Sequence, residues 1–521
     1  MLLIRSIATI GAFTAISRIL GFIRDALIAA LLGAGPIADA FFVSLRFPNM
    51  FRALFAEGAF SAAFVPLFVA AKESEGEASA REFAVQTQSV LATALLVFLI
   101  AVEIAMPIVL LAIAPGFRGT ETFDLAAELS RITFPYLMLI SLTALYGGVL
   151  NSYGRFAAPA AAPILLNLSI IAALVGTGSW MPTLGHALAW GVVAAGLLQL
   201  LWLLAALGRM GIWLPPRRPR LLPRVKLLLR RALPVAFGAG IHQVNILVDT
   251  ILASFLPAGS VSYLFYADRL SQLPYGIIAA AVSTALLPIL SKQVRTGAPA
   301  EALASQNRAL EFAFLLMLPA ATALIVLAEP FMAVLFGRGA FGAEAVQASA
   351  AALAAYSAGL PAYLVVKALT PGYYAREDTR TPVKIAGVAA ILHAVLSIGL
   401  MIPFAHVGIA LSTALAAWFN AVLLATVLYR RGHLQPDARL KCRLPRIVLA
   451  SAVMAAALIT LSQALDGWLD QGFALQAGAV ALMIAAGLVI FGLSAQLLGA
   501  ASVRDVRAVV RARKEKGTEA P

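Results

Sequence analysis

Apolar stretches of 18 or more residues recur along the whole chain, separated by short polar runs in which Lys and Arg cluster. Each is long enough to cross a hydrocarbon core about 30 Å thick. Inside that core the backbone must satisfy its own hydrogen bonds, which a helix does. The alternating pattern of a membrane barrel is absent. Spans fall at roughly 7–32, 37–70, 83–114, 130–150, 157–179, 184–208, 232–256, 260–291, 309–336, 345–374, 382–404, 407–429, 445–465 and 474–500. The pattern predicts an all-α integral membrane protein of about fourteen transmembrane helices.

Composition agrees: 61% of residues are hydrophobic and 12% charged, about half the charged share of a soluble chain. The net charge of +14 would suggest nucleic acid in a soluble protein, but its placement points elsewhere. The loop at 209–231 carries Arg209, Arg217, Arg218, Arg220, Arg224, Lys226, Arg230 and Arg231, and the loop at 430–446 and the C-terminal tail add six cations each. Of the 39 Lys and Arg, seven lie within spans and two, Arg118 and Arg338, on one side, leaving thirty on the other, with Lys384 and Arg446 at the very ends of spans counted with the loops. The positive-inside rule then places both termini in the cytoplasm. No nucleic-acid partner is expected, and the basic loops can also meet anionic lipid heads. The N-terminal apolar stretch runs on into Arg18 and Arg24, so no cleavable signal is expected. The single Cys442 excludes an intrachain disulfide and a cysteine-based metal cluster.

An internal repeat gives the organisation. Ser61-Ala-Ala-Phe-Val-Pro66 resembles Ser283-Thr-Ala-Leu-Leu-Pro288 at an offset of 222, and Arg155-x-x-x-Pro159 resembles Asp378-x-x-x-Pro382 at 223. Upstream of the first pair lie Asp39, Arg46 and Pro48 in one copy, and Asp268, Arg269 and Pro274 in the other. Six spans per copy keep the copies parallel, with a central site expected where the two lobes meet. The expected layout is an N-lobe at 1–208, a basic cytoplasmic linker at 209–231, a C-lobe at 232–430, two appended helices at 431–500 and a basic cytoplasmic tail at 501–521.

Leaving aside Lys384 and Arg446 at span ends, the seven basic residues within spans are Arg18, Arg24, Arg46, Arg52, Arg131, Arg269 and Lys367. Arg131 is near a helix end and can snorkel. A central Arg or Lys costs about 2.5–3.5 kcal/mol on insertion scales, so the five other arginines facing lipid would cost more than about 12 kcal/mol, a whole domain's stability. They must line a hydrated cavity or be paired. At about 100° per residue, Thr14, Ser17, Arg18, Gly21, Arg24 and Asp25 share one arc of the first span. Asp39, Arg46 and Glu57 share a face of the second, with Asn49 nearby, and Pro48 is expected to kink it, leaving the phase of Arg52 open. In the eighth, Arg269, Gln272, Gly276 and Ser283 form a polar stripe beside Asp268. Two readings stand. Each Arg pairs with a carboxylate, Arg24 with Asp25 or Asp39 and Arg269 with Asp268. Alternatively, the arginine excess of the first lobe faces water and takes an anionic substrate, because guanidinium groups bind phosphate oxygens bidentately and stay charged.

These motifs carry a resemblance. Ser17-Arg18-Ile-Leu-Gly21-Phe-Ile-Arg24-Asp25, Ala38-Asp39-Ala-Phe-Phe, Arg46-Phe-Pro-Asn49-Met-Phe-Arg52, Glu57-Gly-Ala-Phe-Ser61, Tyr266-Ala-Asp268-Arg269-Leu and Asp378-Thr-Arg-Thr-Pro382 look like the MurJ (MviN) family, the lipid II flippases of bacterial peptidoglycan synthesis. That family sits within the multidrug/oligosaccharidyl-lipid/polysaccharide exporter superfamily, and the likeness runs over nearly the whole chain. It implies an inner-membrane transporter, not an enzyme, that moves lipid II to the outer leaflet by alternating access through an inward-open cavity between two lobes. It further implies that Arg18, Arg24, Arg52 and Arg269 hold the substrate's pyrophosphate, that Asp39 pairs with them as the lobes rock, and that the last two helices take the polyprenyl tail. Where some relatives carry an acid three residues after the position of Arg269, this chain has Gln272, so an acidic gate pair is not carried over. The chain is expected to work as a monomer among membrane lipids, without a cofactor. Coupling is expected from Na+, H+ or the membrane potential, with Asp249 of the seventh span as a candidate sodium ligand.

Two other transporters share the fold class: an ion-coupled multidrug exporter, which would want an acidic cavity, and a polysaccharide-repeat lipid flippase. A membrane enzyme would need paired carboxylates or His/Asp groups at a membrane face. The five histidines, His186, His242, His393, His406 and His433, are scattered and have no metal-ligand spacing. Glu103, Asn167, Asn420 and Lys367 are expected mainly to hydrogen-bond between helices.

Overall fold

The computed structural model describes residues 2–55, 59–469 and 471–501; Glu57 and the tail from 502 onward lie outside them, as does the side chain of Ser283. The described residues form helices and no strand. In chain order these are α1 (Leu2–Leu32), α2 (Pro36–Ser44), α3 (Arg46–Phe55), α4 (Ala59–Glu75), α5 (Glu77–Ile104), α6 (Met106–Ile113), α7 (Glu121–Thr133), α8 (Tyr136–Ser152), α9 (Ala157–Gly176), α10 (Leu184–Gly208), α11 (Pro223–Ala253), α12 (Ser260–Arg295), α13 (Pro299–Val326), α14 (Ala328–Phe336), α15 (Ala343–Tyr374), α16 (Arg380–Arg430), α17 (Ala438–Ala464), α18 (Asp466–Leu469) and α19 (Phe473–Leu497).

Nine segments among the described residues are long and apolar enough to cross a membrane. One of them, α16, has 51 residues, about 76 Å of helix and more than twice a hydrocarbon core. It breaks at Ala405, which has φ 48° and ψ −131°, two residues after Pro403. Its two limbs fold back on each other: His393 Nε2 meets Thr413 Oγ1 at 3.1 Å, and Ser397 Oγ meets Ser412 Oγ at 2.5 Å. The eleventh and twelfth expected spans are these limbs. The first, second, seventh and eighth coincide with α1, the α2–α4 run, α11 and α12, which carry Arg18, Arg24, Arg46, Arg52, Asp249 and Arg269. Large apolar side chains point outward along the helices, among them Ile104 (79% exposed), Ile402 (82%) and Leu497 (86%). Side chains so placed suit lipid rather than water.

The turn inside α16 makes two substitutions informative. A Cβ on Gly408 would lie 2.1 Å from the Leu400 carbonyl oxygen, so Gly408→Ala forces the limbs apart. At Ala405 the backbone already sits where only glycine is at ease, at a cost of about 1–3 kcal/mol. Thermal unfolding in detergent should therefore move in opposite directions, with Gly408→Ala lowering Tm and Ala405→Gly raising it. Equal shifts of one sign would remove this account of the turn.

The second span is broken where Pro48 requires it. A proline ring collides with the carbonyl four residues back and supplies no N–H to it. That carbonyl belongs to Ser44, where α2 ends, and the Thr133 hydroxyl of α7 donates to it at 3.1 Å.

The chain divides into two compact units, one of residues 1–262 with 338–342 and the other of 263–337 with 343–521. The sequence reading starts the second lobe at 232, whereas α11 packs on α3, α4, α5 and α6 and so groups with the first unit. Val225 and Leu228 of α11 are buried in that unit's aromatic core, where Phe64 stacks on Phe60 (5.5 Å between centroids) and on Phe83 (5.4 Å). In the second unit α15 packs on α16 and α13, and α17 on α13 and α19. The join of α17 to α13 is ionic at one end. The buried Glu311 carboxylate accepts from Arg308, Arg439 and Arg443, and Asp437 caps α17 by accepting from the Leu440 N–H at 2.7 Å. At the other end it is apolar, with Ala323 and Val326 of α13 packed against a cluster that includes Met454 and Leu458 of α17 and Met483 of α19.

Candidate functional site

The polar arc of α1 splits in two. Ser17, Gly21 and Arg24 face α9, where Asn167 is the buried polar residue. The Asn167 amide donates to the Ser17 carbonyl at 2.9 Å and to its hydroxyl at 3.4 Å. A Cβ on Gly21 would stand 3.6 Å from the same amide, so the small residue lets the two helices approach. Thr14 and Arg18 are exposed, and Arg18 makes no hydrogen bond or ion pair among the described residues. The apolar side of α1 shows Ile16, Ile19 and Ile23 outward.

Arg24 is held on both sides. Its Nε and Nη2 donate to Asp25 Oδ1 at 2.9 and 2.6 Å, and its Nη1 donates to Asn167 Oδ1 at 2.9 Å. The side chains of Arg24 and Asp25 are only 15% and 7% exposed. Of the two acids open to it in the sequence, Arg24 pairs with Asp25. Three of the five guanidinium N–H groups are thereby used, and the other two have no partner among the described residues. A planar cation fixed at three points, with two donors to spare, is suited to a phosphate oxygen pair.

Arg52 lies on α3, half-buried, with its Nε donating to Asn49 Oδ1 at 3.3 Å. α3 packs on α8, and α8 packs on α9, the helix that also packs on α1, which brings α1 and α3 to one neighbourhood of the first unit. Arg46 lines a separate cavity of about 10 Å³ with Phe47, Met50 and Gln243, room for about one water.

Asp39 does not join the arginines. It is 1% exposed, and its carboxylate takes the turn that starts α12: Oδ2 accepts from Gly259 N–H at 2.6 Å, and Oδ1 accepts from Ser262 N–H at 2.8 Å and Ser262 Oγ at 2.6 Å. The implied pairing of Asp39 with arginines is thus replaced by a helix cap. The physical reason is that exposed N–H groups and positive dipole at a helix N-terminus attract a buried carboxylate as a cation would.

The second unit carries the polar stripe on α12. Asp268 accepts from Gln272 Nε2 at 2.5 Å, while the Arg269 guanidinium lies over the Phe265 ring, 4.8 Å from its centroid. Gln272 therefore serves the acid one turn back. Lys367 is exposed on α15. Asp249 is half-buried on α11, and no group of three or more His, Cys, Asp or Glu able to hold a metal occurs among the described residues. Sequence reasoning gave Asn167 only a general role between helices; its signal as the residue that orients Arg24 is a lone amide on an apolar helix facing a glycine.

Comparison with known proteins places this geometry. The family model described as lipid II flippase MurJ matches residues 28–479. A probable lipid II flippase MurJ from Rhizobium meliloti is 44% identical over 518 residues, 98% of this chain and 97% of that protein. A solved structure of lipid II flippase MurJ in an inward closed conformation has a TM-score of 0.79 at 24% identity, covering 95% of this chain and 99% of that one. An inward-facing multidrug resistance MATE family transporter of the MOP superfamily shares the fold less closely, with a TM-score of 0.59 at 14% identity over 80% of this chain and 94% of that one. The family model spans most of the sequence and the bacterial relative nearly all of it: the chain belongs to the lipid II flippase MurJ family.

Proposed function

We propose that this protein carries lipid II from the inner to the outer leaflet of the cytoplasmic membrane by alternating access, as a monomer with both termini in the cytoplasm. Family membership supports the substrate, and the cation excess of the 209–231 and 430–446 loops supports the orientation. The observation that carries the reading is Arg24, a buried guanidinium braced by Asp25 and Asn167 that keeps two donors uncommitted among the described residues. Arg18, six residues earlier on α1 and exposed, supplies a second cation for the pyrophosphate. Asn49 orients Arg52 toward the same task. A cationic site of this kind repels the cationic cargo of a drug exporter.

The work is binding and release without covalent chemistry. Guanidinium donors replace the water around the pyrophosphate on entry, and the sugar–peptide headgroup crosses while the polyprenyl tail stays in lipid. A cationic site also feels the membrane potential, about 2.3 kcal/mol per charge per 100 mV for a full crossing, which offers a driving force. Asp249 on α11 is the candidate carboxylate for a coupling cation, whose preference for oxygen ligands it suits. The test is depletion of the protein in cells, followed by measuring on which leaflet lipid II accumulates. Accumulation on the cytoplasmic face is expected, and accumulation on the outer face would overturn the proposal.

A further inference from the structure

The internal repeat pairs Asp378 with Arg155, and the structure bears the pairing out in detail. Asp378 N–H donates to the Tyr373 carbonyl five residues back at 3.1 Å, and Arg155 N–H to the Leu150 carbonyl five residues back at 2.9 Å. The residues before them, Glu377 and Gly154, share a left-handed backbone with φ 61° and 72°. Each lies near the end of a second helix whose C-cap is an arginine: Arg431 follows α16, and Arg209 follows α10. The two copies thus place the same turn beside the same kind of helix end.

Their charges differ. In the second copy Asp378 accepts from Arg431 Nη1 at 2.6 Å, and the Thr381 hydroxyl and Arg431 hold its carboxyl well below the usual range. In the first copy the acid is an arginine. Arg155 and Arg209 line one open cavity of about 430 Å³, and neither has an ion pair or side-chain hydrogen bond among the described residues. The rest of its wall is mostly apolar, including Leu150, Phe156 and Met210. Beside it the half-exposed Trp202 donates its indole N–H to the Ala158 carbonyl at 3.0 Å, a placement common at membrane–water boundaries. Two like charges stand where the sister copy has a neutral pair, over an apolar floor at the end of membrane helices.

We propose that Arg155 and Arg209 bind the headgroup phosphate of an anionic phospholipid, whose acyl chain lies on the apolar wall. The lipid supplies the negative charge that Asp378 supplies in the second copy. The site is distinct from the Arg24 cluster, and the orientation proposed above decides only its leaflet, the cytoplasmic one, where anionic lipid attracts basic side chains. A guanidinium pair on one phosphate gives charge-assisted, bidentate bonds that a zwitterionic headgroup with its own cation satisfies less well.

The full chain in detergent is titrated with phosphatidylglycerol, phosphatidylcholine or inorganic phosphate, and retained lipid is counted by native mass spectrometry alongside Tm. Wild type should retain one phosphatidylglycerol more than the Arg155→Gln/Arg209→Gln variant, whose affinity for it should fall at least about tenfold. Arg218→Gln, in the same basic linker but outside the cavity, should bind as wild type does, which separates a site from diffuse attraction. Arg155→Asp should rebuild the pair of the second copy, abolish the extra lipid and remove the rise in Tm that phosphatidylglycerol gives. Equal retention by wild type and the double variant, equal retention of phosphatidylcholine, displacement of the lipid by millimolar phosphate, or the same loss in Arg218→Gln would each overturn the proposal. A double variant that fails to fold leaves Arg155→Asp as the deciding comparison.

Discussion

Replacing Arg24 by alanine abolishes lipid II translocation while the protein remains in the membrane. Insertion is spared because most of α1 is apolar, and removing one charge from within it lowers the transfer cost by about 2.5–3.5 kcal/mol. Transport is lost because the group removed is a guanidinium within α1 that is braced at three points and has donors left over among the described residues. Truncation also strips Asp25 of a partner, and breaking a buried pair costs about 3–5 kcal/mol. Loss of transport alone could then reflect a weakened fold, and two further variants separate the effects. In Arg24→Leu/Asp25→Leu the pair is replaced by apolar side chains, often neutral for stability, so Tm should return toward wild type while transport stays absent. Arg24→Lys keeps the charge but cannot reach Asp25 and Asn167 together from a single nitrogen, so transport should fall at least about tenfold with little change in Tm. Leaflet-resolved lipid II measurements read transport, and detergent thermal scans read Tm. Normal flipping by Arg24→Ala would sink the site.

Much of this architecture is legible in the residues because the bilayer leaves few choices. Runs of apolar residues locate α5, α9, α10, α13 and the limbs of α16, and Pro48 locates the break after α2 from a steric rule reaching four residues back. Cations in spans also announce themselves through their cost. Partners are harder to read. Arg24 had two acids within a helix face or a helix end of it, and only packing of α1 on α9 decides that Asp25 takes it with Asn167, 143 positions away. Asp39 meets Gly259 and Ser262 across separations of 220 and 223 residues, through backbone N–H groups that no side-chain pattern reveals. Glu311 escapes charge accounting of the spans for a similar reason. It is one acid midway along α13, and two of its three arginines come from α17, 128 and 132 residues later.

Asp39→Ala destabilises the protein by roughly 3–5 kcal/mol, a large part of a typical margin of about 5–15 kcal/mol. The carboxylate is 1% exposed and receives three hydrogen bonds, each of a kind worth about 1.5–3 kcal/mol when the acceptor is charged. Its loss leaves Gly259 N–H, Ser262 N–H and Ser262 Oγ without that acceptor at a helix end, where the dipole adds to the cost. Gly259 has φ 95°, so its N–H is held in place by a turn that other residues adopt poorly. Asp39→Asn preserves volume and one acceptor oxygen but turns an NH2 group toward one of the donors, so it should lose most of the same stability. Ser262→Ala, which deletes only the hydroxyl bond, should lose about 1–2 kcal/mol. The order in Tm is then Ser262→Ala above Asp39→Asn above Asp39→Ala, and transport measured at a temperature where each variant is folded should recover in the same order. Were Asp39 acting instead by pairing with the arginines, Asp39→Asn would lose transport at unchanged Tm and Ser262→Ala would be silent in both. The cap predicts the reverse, because what Asp39 holds is the first turn of the helix that carries Asp268 and Arg269.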